Sequence, residues 1–248
     1  MYKFLTLIIF SSVTLYAQTL YSFSNISINY LDWSSSTKSK TSKEDFAYVT
    51  LEGGVGWDWG EFYVNINLEN PTKKYTDEST DELRYTAFGD FDINIKNGFK
   101  IHFQDFHLHS DTFYVNDFVV GASYKYESNF GLWIKPFIGV HYTNDTYFNG
   151  LNGYMGGWVF NYDFEMFNQK FSISQWNEIE FARDKEFYEN DGEPIGDSKS
   201  YGLNGALSIW WYLSKDFTSG VQYRYAKHKL GNYNYQSAMI YTLKYNFL

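Results

Sequence analysis

The residues of this chain best equipped for chemistry are Asp105, His107, His109 and Asp111, an acid–imidazole alternation that an Asp/His hydrolase or a metal pair would use. The spacing argues against both. His107 and His109 stand two apart beside an expected loop, with no further Cys or His at a ligand spacing, so a surface loop is the reading adopted. His141 with a nearby serine lacks any nucleophile motif of the G-x-S-x-G kind. Asp184 to Asp197 holds six acids around Asn190-Asp191-Gly192, but not in the one-three-five order with a closing Glu that a calcium loop needs. It reads as a solvated loop. No catalytic residue, metal site or cofactor is expected, and the chain is not expected to be an enzyme.

A second set of polar residues is spread along the chain at period two. Phe62, Val64, Ile66 and Leu68 alternate with Glu61, Tyr63, Asn65, Asn67 and Glu69. Phe91, Ile93 and Ile95 alternate with Asp90, Asp92, Asn94 and Lys96, and the rhythm recurs at Leu132 to His141 and Val221 to Tyr225. On a strand such residues face opposite sides, one greasy and one polar. The polar face is assigned the acids Asp32, Glu52, Asp58, Glu61, Asp90 and Glu178, the cations Lys125, Lys135 and Arg224, and Asn65. Rings are interleaved with them: Tyr30, Tyr63, Trp133, Phe137 and Trp176. Tyr48, Asn67, Asp92, His141, Glu180, Trp210, Tyr212 and Gln222 fall on the same side. Inside a polar cavity a ring stacks on a flat solute while acids, amides and cations hydrogen-bond its hydroxyls, which points to nucleobases or sugars. The plainer alternative is that these acids and bases pair only to neutralise buried charge.

The elements that must position these residues are strands, placed roughly at 24–32, 44–58, 60–70, 83–96, 99–108, 113–127, 130–143, 151–165, 170–182, 199–213, 217–229 and 235–247. The 99–108 strand is the least regular, because Phe103, Asp105 and Phe106 interrupt the alternation. The strands exceed the usual five or six residues, and the connections alternate in length. Short turns at Trp59-Gly60, Asn97-Gly98, Ser128-Asn129, Asn168-Gln169 and Ser214-Lys215 are separated by mostly longer polar segments at 33–43, 71–82, 109–112, 144–150, 183–198 and 230–233. Short periplasmic turns and longer outer loops belong to an antiparallel transmembrane β-barrel, here of about twelve strands with both termini periplasmic. Such a barrel should hold a narrow lumen, between the filled interior of about eight strands and the open channel of about sixteen. A soluble sandwich also alternates, but with shorter strands.

Composition agrees. Aromatics are 22% of residues, yet the mean hydropathy is negative, which suits a wall between lipid and water. Cys is absent, Pro numbers only 3, and the net charge of −9 argues against nucleic acid as a partner. Lys3, an apolar stretch from Phe4 to Leu15 and Ala17 have the order of a secretory signal, so residues 1–17 are expected to be a cleaved signal and 18–248 a single barrel domain in the cell outer membrane. Lipid and lipopolysaccharide are then partners, the latter through divalent cations at the acidic loop. Tyr241, Leu243, Tyr245 and Phe247 share a face next to the C-terminal Leu248, a pattern resembling the signal read by the outer-membrane assembly machinery.

Tyr48-Val-Thr-Leu-Glu-Gly-Gly-Val-Gly-Trp-Asp-Trp-Gly-Glu-Phe-Tyr63, followed by the Asn-rich stretch from Asn65 to Pro71, resembles the Tsx/OmpK family of nucleoside-specific channels. Tyr223-Arg-Tyr, Lys227-His-Lys-Leu-Gly231 and Leu243-Lys-Tyr-Asn-Phe247 resemble the same family's last hairpin. The resemblance implies a monomeric twelve-strand barrel that passes nucleosides by diffusion through a narrow, aromatic-lined channel. One departure bears on the solute: family members tend to carry Pro-Arg-Phe-Ser where this chain reads Gly89-Asp90-Phe91-Asp92. The other readings open at this point are a generic small-solute pore, a closed barrel acting through its surface loops in adhesion, and a barrel hydrolase dependent on His107 or His141.

Overall fold

The computed structural model describes residues 18–41, 43–73, 82–190, 193–195 and 199–247. The expected signal segment and Leu248 lie outside them, as do most of 71–82 and parts of the acidic loop. Alternating residues with few prolines form long strands: β1 (Thr19–Trp33), β2 (Phe46–Trp57), β3 (Gly60–Glu69), β4 (Arg84–Lys96), β5 (Phe99–His109) and β6 (Tyr114–Tyr124). They continue as β7 (Leu132–Asp145), β8 (Asn149–Met166), β9 (Gln169–Phe181), β10 (Tyr201–Tyr212), β11 (Phe217–Lys227) and β12 (Gln236–Asn246). Each is antiparallel to its sequence neighbours, and β1 pairs with β12 from Asn25↔Asn246 to Trp33↔Ala238, so the sheet closes. Closure leaves no unpaired edge in the bilayer, where an orphaned backbone N–H costs several kcal/mol, on the order of a lost hydrogen bond in hydrocarbon. Two short helices, α1 (Ser35–Thr41) and α2 (Lys185–Tyr188), sit in the loops after β1 and β9.

The outward face is apolar between two rims of rings. Ile26, Ile28, Leu51, Ile66, Ile101, Val120, Ile138, Leu207 and Leu243 are exposed on it. Near the periplasmic turns Tyr162, Phe164, Phe171 and Trp211 stack in a row with centroids 5.7, 5.7 and 6.2 Å apart. Near the outer rim Tyr154 stacks on Phe181 at 5.7 Å. An apolar band bounded by aromatic girdles is the surface that a lipid bilayer covers.

The 99–108 region forms a complete strand despite its broken pattern, because the polarity of its two faces inverts along its length. Lys100, His102 and Gln104 point inward and Phe99, Ile101 and Phe103 outward; toward the outer rim Phe106 and Leu108 point inward while Asp105, His107 and His109 point out. His107 and His109 therefore lie on β5 and not on a loop, stacked on each other at 6.2 Å, and Asp105 accepts from Asn116 Nδ2 at 2.8 Å. Inside β1 the same inversion seats Leu31 and Trp33 against Ala238 and Ile240.

Candidate lumenal binding site

The strands enclose a cavity of about 2970 Å³, so the interior is not filled by its own side chains. Two networks occupy its wall from β3 round to β9. At the periplasmic end Lys135 Nζ reaches Glu61 at 3.2 Å, Asp90 at 3.2 Å and Asp92 at 2.5 Å. Glu61 also takes Lys100 at 3.2 Å and Lys125 at 2.9 Å, while Asp92 accepts from Ser123 Oγ and meets His102 Nδ1 at 3.0 Å. Near the outer end Asp117 meets His141 Nε2 at 3.0 Å, and Glu180 is held by Arg183 at 2.7 Å and by Lys229. Asp117, His141 and Glu180 offer ligand atoms within 4.8 Å of one another, but Arg183 and Lys229 already neutralise Glu180, and Asp117 accepts from Thr143 Oγ1 at 2.7 Å.

Between these networks Gln104 Nε2 donates to Glu178 Oε1 at 2.8 Å. The two residues sit on β5 and β9, with three strands between them, so the bond closes off a side of the lumen over the buried Val119 and Met155. Replacing Gln104 by alanine is expected to free the Glu178 carboxylate toward the pore, raising single-channel conductance and cation preference. Unchanged conductance and reversal potential would place the bond outside the ion path.

The opposite wall is neutral and hydrogen-bonding. Thr242 Oγ1 donates to Asn29 Oδ1 at 2.7 Å, Asn29 Nδ2 to Thr50 Oγ1 at 3.0 Å, Thr50 Oγ1 to Asn67 Oδ1 at 2.7 Å and Asn67 Nδ2 to Thr86 Oγ1 at 2.8 Å. This belt crosses β12, β1, β2, β3 and β4. Small polar residues at alternate positions on adjacent strands meet as cross-strand pairs, which is why the ladder is continuous. Glu52 lies beside it, accepting from Tyr63 OH at 2.8 Å, Asn25 Nδ2 at 2.9 Å and Lys244 Nζ at 2.7 Å. Lys244 also lies 4.1 Å from the ring centre of Trp210, and Arg224 lies 5.5 Å from that of Trp176.

Of the residues assigned to the lumen from the sequence, Glu52, Glu61, Tyr63, Asn65, Asp90 and Lys125 line the cavity, as do Trp133, Lys135, Phe137, Trp176, Glu178 and Arg224. Three do not. Tyr30 and Asp32 occupy the outward positions of β1, whose inward residues are Asn25, Ser27, Asn29, Leu31 and Trp33. Tyr30 belongs to the lipid face, and Asp32 pairs at 3.3 Å with Lys38 of α1. Asp58 stands in the turn between β2 and β3, where its carbonyl accepts from Asn94 Nδ2 at 3.0 Å. The ladder residues Asn29, Thr50, Thr86 and Thr242, with Lys244 and Gln104, were not foreseen. Continuing the odd-position pattern Asn25, Ser27, Asn29 along β1 exposes the first of them.

Comparison with known proteins agrees with this geometry. A family model described as nucleoside-specific channel-forming protein, Tsx, matches residues 28–247. Among solved structures the NanC porin superposes with a TM-score of 0.55 at 10% identity, covering 89% of this chain and 98% of that one. The KdgM porin reaches 0.48 at 8% identity, covering 92% of this chain and 100% of that one. At these identities the structural likeness concerns the fold alone. The family match spans nearly the whole barrel, and the chain belongs to this family of nucleoside-specific outer-membrane channels.

Proposed function

We propose that this channel moves nucleosides passively by offering two unlike walls at once: a neutral amide–hydroxyl ladder for the sugar and cation-capped rings for the base. The observation that carries the reading is the unbroken ladder from Thr242 to Thr86 facing a cavity of about 2970 Å³ that Trp176 and Trp210 also line. A ribose entering through the outer loops exchanges its water for Asn and Thr groups already held in place, and each exchange is close to neutral in free energy, at about 1 kcal/mol or less per bond. Weak, repeated contacts suit flux, since a tight site would stall it. The ion pairs round Lys135 are read as wall structure that neutralises buried charge, and the acid at Asp90, where the family tends to carry arginine, is balanced by that lysine. A monomer inserted through its C-terminal strand and bearing lipopolysaccharide at its outer loops completes the proposal. No chemical step is assigned to the lumen.

Planar-bilayer recording tests this reading. Uridine added at millimolar concentration is expected to reduce the ion current reversibly, while a sugar of equal size reduces it less. Current indifferent to both would leave a generic pore.

A further inference from the structure

Most of the lumenal cations among the described residues obey one rule. Lys100 and Lys125 lie on Glu61, Lys135 on Glu61, Asp90 and Asp92, Lys244 on Glu52, Arg84 on Glu69, and Lys229 on Glu180. Neutralisation of buried charge accounts for every one of these. It does not account for Arg224. That residue lines the cavity and is partly exposed, and among the described residues it has neither a carboxylate within salt-bridge distance nor a hydrogen-bond acceptor; its Nε is buried without a partner. Its one close neighbour of consequence is the indole of Trp176.

The strand register explains how the guanidinium reaches that ring. Trp176 pairs with Ala206, Ala206 with Arg224, and Arg224 with Ala238. Ala206 and Ala238 are buried and carry only a methyl group, so the arginine lies between two short neighbours with room to lean across β10. A planar fork of donors is thus braced against a ring, with its outer nitrogens open to the lumen water. Such a group seeks an acceptor with a fixed lone-pair direction. A phosphate dianion would have to approach past the carboxylates of Glu178 and Glu52, which face the same cavity. A ring carbonyl carries no charge and meets no such repulsion.

We propose that Arg224 is the specificity-determining residue of this channel: it donates to a carbonyl of the nucleobase, so oxo-bases such as hypoxanthine, guanine and uracil are held more tightly than adenine. The inference rests on the nucleoside-channel reading and sharpens it. Inosine and adenosine form the cleanest comparison, differing only at C6 and N1, where inosine has a carbonyl beside an N–H and adenosine an amino group beside a bare ring nitrogen. One hydrogen bond to a charged donor in a wet lumen supports a preference of about threefold to tenfold.

The experiment is current block in planar bilayers by inosine, adenosine and inosine monophosphate, on the wild-type barrel and on Arg224→Gln. Inosine is expected to block at about threefold to tenfold lower concentration than adenosine. Arg224→Gln should bring inosine to the level of adenosine on the same variant, and shift the reversal potential toward cations. Equal block of the wild type by the two nucleosides overturns the role of Arg224 while leaving the channel reading intact. Block by neither overturns the channel reading itself. Preference for inosine that survives Arg224→Gln, or a reversal potential that does not move, also overturns the proposal. Stronger block by the monophosphate than by inosine, lost in the variant, assigns Arg224 to anions and not to base carbonyls.

Discussion

Replacing Lys135 by methionine is expected to destabilise the folded barrel by about 3–5 kcal/mol, the cost of leaving a buried ion network without its cation. The ammonium touches three carboxylates, those of Glu61, Asp90 and Asp92, and its side chain is only 6% exposed. Asp92 is fully buried, so water cannot take over the lost contact. Lys125 and Lys100 remain on Glu61, but no other lysine is paired with Asp90 or Asp92 among the described residues. The urea midpoint for unfolding from detergent micelles, followed by the gel shift between folded and unfolded barrel, reads the loss. Adding Asp90→Asn to the variant should recover part of it, because one uncompensated charge is removed. A midpoint that does not move would mean the network is solvated from the lumen and contributes nothing to the fold.

That network also shows what the sequence could and could not display. Alternation placed Glu61, Asp90 and Lys135 on the inner face, since the strand period is two and the lipid side must be greasy. It could not say that a lysine on β7 reaches acids on β3 and β4, because that contact depends on how sharply the wall curves. Inward glycines on β6, β7 and β8 decide that curvature, and they bear no chemistry to read. Tyr30 and Asp32 were assigned inward for a related reason. Near the outer rim the lumen side of β1 turns apolar, with Leu31 and Trp33 packed on Ala238 and Ile240, while Asp32 outside meets a loop lysine. A polar-means-inward rule holds only at the depth of the hydrocarbon. The ladder was missed because Asn, Ser and Thr have no titrating group to single them out; only their register across five strands makes them a surface.

Gly121→Ala should destabilise the barrel, and Gly121→Leu should prevent its assembly, although removing a strand glycine normally helps by roughly 0.5–1 kcal/mol. A Cβ built on Gly121 would stand 2.0 Å from the carbonyl oxygen of Ile138 and 2.4 Å from the Cα of Gly139, its register partner on β7. Both are backbone atoms, so no rotamer change relieves the contact and the two strands must part. Gly157 on β8 is under the same constraint, 2.0 Å from the carbonyl oxygen of Asn177. These close approaches fall on the strands that separate Gln104 from Glu178, which still bond across them at 2.8 Å. Gly89→Ala is the matched control: its Cβ would meet nothing nearer than 3.5 Å, and it should be neutral or slightly stabilising. Folding yield and urea midpoint compare the two alanine variants directly. If Gly121→Ala is as stable as Gly89→Ala, the wall is not pinched at β6 and β7. Should Gly121→Ala fold weakened, strain at that contact should also loosen the Gln104–Glu178 bond, and its conductance should rise as in Gln104→Ala. A fall in stability with unchanged conductance would separate the contact from the aperture.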